Sequence, residues 1–208
     1  MTGSGVGDSY AKLKAHLLQT TPGRVLFQMA MAANHQDRLN AVEDAIDWIA
    51  QEHTKTRQHR QERSEDALTI DIISDLKSMG FQASHDTQYG GHCDIVIEAR
   101  DNFLWIAEAK IHSSYDWLVK GFAQLDERYS TGLPGQDAGE MLIYCYGERA
   151  DRVMKEWGIR LRESRPDVEV TAPDDDPLVL RSTHVHKGTG ATFRVRHKGV
   201  SLYFKPTV

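Results

Sequence analysis

Only two of the 208 residues are cysteine, Cys93 and Cys145, and neither stands in a Cys-x-x-Cys spacing, so no disulfide framework or cysteine-ligated zinc site is expected. Each lies in an apolar stretch and reads as a buried thiol. No apolar run approaches the roughly 18 residues of a membrane-spanning helix, and no internal repeat is present. The first eight residues lack a basic segment followed by an apolar one, which argues against a secretory signal and for a soluble, cytoplasmic chain. An excess of positive charge is missing too: 25 Lys and Arg stand against 30 Asp and Glu, net -5. That balance provides no overall attraction to nucleic acid, although a local basic groove beside an acidic metal site is compatible with it.

What is present reads as a helical first third followed by a mixed α/β region. Residues 1–9, rich in Gly and Ser, are expected to be disordered. Short helices are predicted over 10–19 and 25–31, divided by Thr21-Pro22-Gly23, and Asn40 is predicted to cap a longer helix with Val42, Ile46 and Ile49 on one face. The basic stretch 53–63 reads as a solvated face. Ser64 then caps a helix whose buried stripe is Leu68, Ile72, Leu76 and Met79, with Gly80 at its end. The period changes at residue 81. Strands are predicted at 81–84, 95–97 and 103–111, with a turn at Tyr89-Gly90-Gly91 and a hairpin turn at Asp101-Asn102. A helix over 115–129 and a strand over 141–146 complete a βαβ crossover. The tail predicts a hairpin of 191–196 and 200–204 turning at His197-Lys198-Gly199.

Charged residues on apolar strands mark the candidate site. Alternation along Phe103–Ile111 brings Glu108 and Lys110 out on one face. Asp94 opens the neighbouring antiparallel strand, so it and Glu108 are expected to face one another. Two converging carboxylates repel unless a cation lies between them or one takes a proton. Mg²⁺, with Mn²⁺ as a substitute, suits such a pair. It would polarise phosphorus and supply a more acidic water, while Lys110 would act on that water or on developing charge.

Asp94, thirteen intervening residues and Glu108-Ala109-Lys110 resemble the core motif of the PD-(D/E)XK phosphodiesterase superfamily, over roughly residues 62–147. The proline is absent, since Cys93 precedes Asp94. The resemblance implies a restriction-endonuclease-like mixed sheet flanked by helices, and a further acid on the preceding helix, matched by Glu65, as a third metal ligand. It also implies a glutamine on the following helix, matched by Gln124, with Arg128 or Tyr129 near a looser position. His92 and His112, flanking the strand ends, read as exposed edge residues, and Glu98 as an exposed strand residue.

The organisation that follows is an N-terminal helical segment, 1–61, with an oligomerising or regulatory role; a nuclease core, 62–165; and a basic β-hairpin extension, 166–208. The extension holds Arg181, Lys187, Arg194, Arg196, Lys198 and Lys205, with no acid from Leu178 on. It reads either as a phosphate-backbone grip or as the complement of an acidic partner or of Asp174-Asp175-Asp176. The expected function is a Mg²⁺-dependent endonuclease acting on DNA rather than RNA, an effector of bacterial antiviral defence or restriction working with an oligomeric or protein partner. The alternative is an inactive nuclease-fold module that binds nucleic acid or assembles a complex.

Overall fold

The computed structural model describes residues 4–85, 87, 88, 91–173 and 175–207. Tyr89, Gly90 and Asp174 fall outside them, as does most of the turn expected at 89–91.

Three helices open the chain: α1 (Ser4–Leu17), α2 (Thr21–Met31) and α3 (His35–Lys55). Helix begins at Ser4, within the stretch expected to be disordered. Thr20 caps α2 with its hydroxyl on the Gly23 N–H, so the Thr21-Pro22-Gly23 break is the first turn of a helix, where proline is tolerated. The cap of α3 is Asn34, whose side chain accepts from the Asp37 N–H, rather than Asn40, which lies a turn inside. A single 3₁₀ turn, Arg57–His59, leads to α4 (Glu65–Ser78). Helix α4 begins and ends as the sequence indicates. The Ser64 hydroxyl accepts from the Ala67 N–H, and Gly80 takes a φ of 86° while its N–H and that of Phe81 close on Lys77 and Leu76.

Strands β1 (Gln82–Ser84), β2 (Thr87–Gln88), β3 (His92–Cys93), β4 (Ile95–Ala99) and β5 (Phe103–Ile111) follow. Asp101 and Asn102 both adopt positive φ, as a two-residue hairpin requires. Helix α5 (Tyr115–Gln124) runs into a π-helical turn, Leu125–Tyr129, and then come β6 (Ala138–Cys145), α6 (Ala150–Ser164), β7 (Glu169–Thr171), β8 (Val179–Val185) and β9 (Thr192–Ser201).

The result is α/β. One mixed seven-stranded sheet, in the order β1-β4-β5-β6-β9-β8-β7, is flanked by helices, with β5, β6 and β9 parallel at its centre. Helices α2, α3 and α4 pack on one face, against Ile95, Ile97, Trp105, Ala107, Leu142 and Val200. Helices α5 and α6 pack on the other, against Val96, Leu104, Ile106, Met141 and Val195. Alternation along β5 therefore sends Glu108 and Lys110 toward α5. Among the described residues no helix is long and apolar enough to cross a membrane.

The tail corrects the sequence reading. A C-terminal hairpin exists, but β9 passes straight through His197-Lys198-Gly199, and the turn is at 186–191, where the Gly190 N–H closes on the His186 carbonyl. Lys198-Gly199 resembles a turn for other reasons. Lys198 is buried against Asp47 and Asp176, and a Cβ on Gly199 would lie 3.0 Å from Met154 Cγ. The hairpin is built into the main sheet rather than appended to it. Helix α6, which the sequence reading lacks, buries Val153, Met154, Trp157 and Leu161.

Candidate active site

The strand register brings the three motif residues together. Ile95 pairs with Ala107, so one step back along β4 and one forward along β5 make Asp94 and Glu108 cross-strand neighbours on one face. Asp94 Oδ2 accepts from the Ala109 N–H at 2.8 Å. Glu108 is 1% exposed; its Oε1 lies 2.5 Å from Lys110 Nζ, and its Oε2 is buried with no hydrogen-bond partner among the described residues. Lys110 Nζ lies also 3.2 Å from Glu65 Oε1 and 4.0 Å from Asp94 Oδ2. Three carboxylates therefore converge on one buried ammonium.

Burial governs the electrostatics. It pushes the Glu108 carboxyl up to about 8, with the negative charge of Asp94 adding to the effect and Lys110 opposing it. Asp94 is raised as well, chiefly by burial, against the pull of the Ala109 N–H. For Lys110 burial favours the neutral amine, but Glu108, Asp94 and Glu65 outweigh it and hold the group above its ordinary value.

Glu65 arrives where the resemblance implies, in a different role from the expected one. Its Oε1 faces Lys110, and its Oε2 accepts from the Ile111 N–H at 2.7 Å, so both oxygens are engaged in tying α4 to β5. As a third metal ligand it is not in place. Gln124 lies at the margin: its amide approaches the Tyr129 hydroxyl at 3.5 Å, and it bonds to none of Asp94, Glu108 or Lys110 among the described residues. His92 is exposed, while His112 packs its ring 4.9 Å from Tyr115 and buries an unpartnered Nε2. Glu98 pairs with Leu104, at the far end of the hairpin.

Two further residues shape the site. A Cβ on Gly121 would lie 2.9 Å from Lys110 Cγ and 3.0 Å from Met141 Cε, so this glycine inside α5 is the recess in which the lysine stem lies. The sequence signal is a glycine in the middle of an amphipathic helix, where it is otherwise unfavourable. Trp117, held in the first turn of α5 by the Ser114 cap, places its ring centroid 5.2 Å from Lys110 Nζ and walls the ammonium from solvent.

Among the described residues no group of three or more His, Cys, Asp or Glu could hold a metal ion. What the site offers is a carboxylate pair, with one buried oxygen unpartnered among the described residues and one carboxyl whose pKa is raised by burial and, after that, by the charge of Asp94. That donor set fits a hard divalent cation such as Mg²⁺, which is commonly held by only one or two carboxylates and completes its shell with water and phosphate oxygens.

The expected phosphate grip of the C-terminal cations has another use in this structure. Arg181 pairs with Glu43, Lys187 with Glu127, Arg194 with Asp137, Arg196 with Asp47, and Lys198 with Asp47 and Asp176. These charges mostly fasten β8 and β9 to the rest of the chain. No family model, curated protein or solved structure matches the chain.

Proposed function

We propose that the protein is a metal-dependent nuclease of the PD-(D/E)XK type with a restriction-endonuclease-like core, hydrolysing phosphodiester bonds, foremost in DNA. The observation that carries this reading is the Glu108 carboxyl. It is buried beside Asp94, has one oxygen on Lys110 and leaves the other without a partner. A buried carboxylate pair adds little to stability compared with apolar side chains, so the convergence of Asp94 and Glu108 on Lys110 supports a chemical role. The order α4, β4, β5, α5, β6 around it also agrees with the resemblance.

Asp94 and Glu108 would hold Mg²⁺ or Mn²⁺, and the bound ion would polarise the phosphoryl group and acidify a water. Lys110 Nζ is held in place by Glu65 and by the recess at Gly121. Its ammonium, whose N–H groups lie on Glu65, Glu108 and the Ala109 carbonyl, would act through its positive charge, offsetting the charge that grows on the phosphate in the transition state. Glu65 acts through Lys110 as a positioning residue. A defensive role against foreign DNA, gated by a partner, is consistent with this chemistry.

Purified protein incubated with supercoiled plasmid, single-stranded DNA and RNA in Mg²⁺ or Mn²⁺ tests the reading. Cleavage is expected, abolished by EDTA and reduced about a hundredfold or more in Glu108→Ala/Lys110→Ala, the scale seen when a charge-stabilising donor is removed. If the wild type cuts nothing that the double variant spares, the nuclease reading fails and a binding module takes its place.

A further inference from the structure

We propose that Trp117 is a stacking platform for an unpaired nucleobase, so that the site takes a single strand of nucleic acid rather than an intact duplex; this rests on the nuclease reading of the site. Large aromatic side chains in this protein are mostly internal. Trp105 and Trp157 are buried and Trp48 is half-buried, whereas Trp117 is 39% exposed. Its position is not that of a stray surface residue. The ring lies over the ammonium on which three carboxylates converge, and its backbone is fixed by the Ser114 hydroxyl in the first turn of α5.

Helical spacing continues the same wall. Residues at i, i+4 and i+7 share a face of an α-helix, and on α5 these are Trp117, Gly121 and Gln124; the π-helical turn that follows carries Arg128. Gly121 touches the stem of Lys110, and Gln124 reaches Tyr129. Arg128 is exposed near Gly91, three residues before Asp94, and has no ion pair or hydrogen bond among the described residues. The wall thus offers an aromatic face at one end, Gln124 against Tyr129 in the middle, and at the other end a cation with no ion pair or hydrogen bond among the described residues. Most cations of β8 and β9, in contrast, are consumed in internal pairs.

The indole lies 5.2 Å from Lys110 Nζ, so a base on its exposed side would lie beside the carboxylate site. Stacking there requires the base to be out of a duplex, because a paired base shows its faces only to its neighbours in the stack. Such stacking is tolerant of sequence, and a cation tracking the backbone accompanies it in other single-strand sites. The shared chemistry is an unpaired base beside a phosphodiester, whether the sugar is deoxyribose or ribose.

Fluorescence anisotropy of end-labelled dodecathymidylate, dodecauridylate and a blunt duplex of the same length, titrated with the full chain in EDTA, separates the possibilities. The wild type is expected to bind either single strand about tenfold more tightly than the duplex. Trp117→Ala is expected to weaken single-strand binding about tenfold, within the range for one lost base stack, and Trp117→Phe, which keeps an aromatic face, to stay within about threefold. Equal affinity for the two single strands supports a stack that reads only the face of the base, and a preference for one identifies the strand. Single-strand affinity unchanged in Trp117→Ala, or a duplex bound as tightly as the single strands, overturns the inference. The measurement involves no cleavage. A wild type that cuts while Trp117→Ala binds normally sinks this inference alone; Trp117-dependent binding without cutting sinks the nuclease reading alone.

Discussion

Glu108→Gln is expected to stabilise the protein near neutral pH, although it removes a salt bridge at the centre of the site. The folded carboxyl titrates at about 8, against an ordinary value of 4.5. A carboxyl with a raised folded pKa contributes its full share of stability below the unfolded pKa and loses it as pH climbs toward the folded one. At pH 7 the unfolded chain has released this proton and the fold still holds it. Two and a half pH units at about 1.4 kcal/mol each put the cost on the order of 3 kcal/mol. At 1% exposure, water does little to screen it. Glutamine carries no such cost, but its amide is left poorly bonded where Oε2 was, a penalty of about 1–2 kcal/mol. The balance is a gain of about 1–2 kcal/mol at pH 7 that vanishes between about pH 5 and 6 and turns into a loss of about 1 kcal/mol near pH 4.5, where only the amide penalty remains. Denaturant unfolding of both proteins between pH 4.5 and 8 reads this directly. The comparison isolates Glu108 from Glu140, which burial also pushes up to about 8 and which is intact in both proteins. Mn²⁺ should reverse the order, since a ligand at a hundred times its Kd adds about 2.7 kcal/mol to the protein that binds it. A stability difference that does not change with pH would refute the assignment of Glu108 as a strained, cation-seeking carboxyl.

Gly121→Ala probes the recess for Lys110. Helix propensity favours alanine by about 0.5–1 kcal/mol, whereas a Cβ 2.9 Å from Lys110 Cγ and 3.0 Å from Met141 Cε costs about 1–3 kcal/mol of overpacking. Thermal melting should show a net loss under about 2 kcal/mol, with cleavage falling by far more than the stability does; unchanged cleavage would mean that the recess is only packing. Arg196→Ala removes the partner of Asp47 and the nearest cation to the fully buried Glu140. A loss of about 3 kcal/mol is expected, at the low end for a broken buried pair because Asp47 keeps Lys198. Nucleic-acid affinity of this variant, measured well below its melting temperature, should equal that of the wild type. A drop would restore the phosphate-grip reading of β9.

The site was legible because its order depends on local signals. Asp101-Asn102 fixes the turn, the turn fixes the register, and the register pairs Asp94 with Glu108. Ser64 and Gly80 bound α4 in the same way, through capping chemistry that a few residues determine. The failures share a different cause: charged residues whose partners are distant in sequence. Arg196 and Lys198 look like the solvated arm of a hairpin, yet they are buried in β9 against acids of α3 and residue 176. Helix α6 hides Val153, Met154, Trp157 and Leu161 among arginines and acids that answer one another, such as Arg160 with Glu156 and Glu163. His197 reads as a turn residue because nothing nearby in sequence announces Trp157 Nε1 and Ser182 Oγ, its two buried partners. Gly121 stands out in the sequence as a glycine inside a helix, but what it accommodates does not, since that stem lies on β5.

Glu65 shows what holds the carboxylate cluster together. Strand β5 runs on to Ile111, whereas its antiparallel partner β4 pairs with it only as far as Ala107. Beyond that point the N–H groups of Ala109 and Ile111 have no neighbouring strand on the β4 side among the described residues, and a buried N–H without a partner is costly. Asp94 accepts from the first and Glu65 from the second. Two carboxylates thus continue the ladder that β4 leaves off, and the same hydrogen bonds set the direction in which their charge points. The backbone of β5 is what holds Asp94 beside Glu108 and Glu65 at Lys110. Removing Asp94 would consequently disturb the end of β5 together with the chemistry, so a loss of cleavage in Asp94→Ala would not separate folding from function. Glu108 has no such second duty: among the described residues its Oε1 pairs with Lys110 and its Oε2 has no hydrogen-bond partner. It is the one carboxyl of the three whose replacement reports on the site's charge alone.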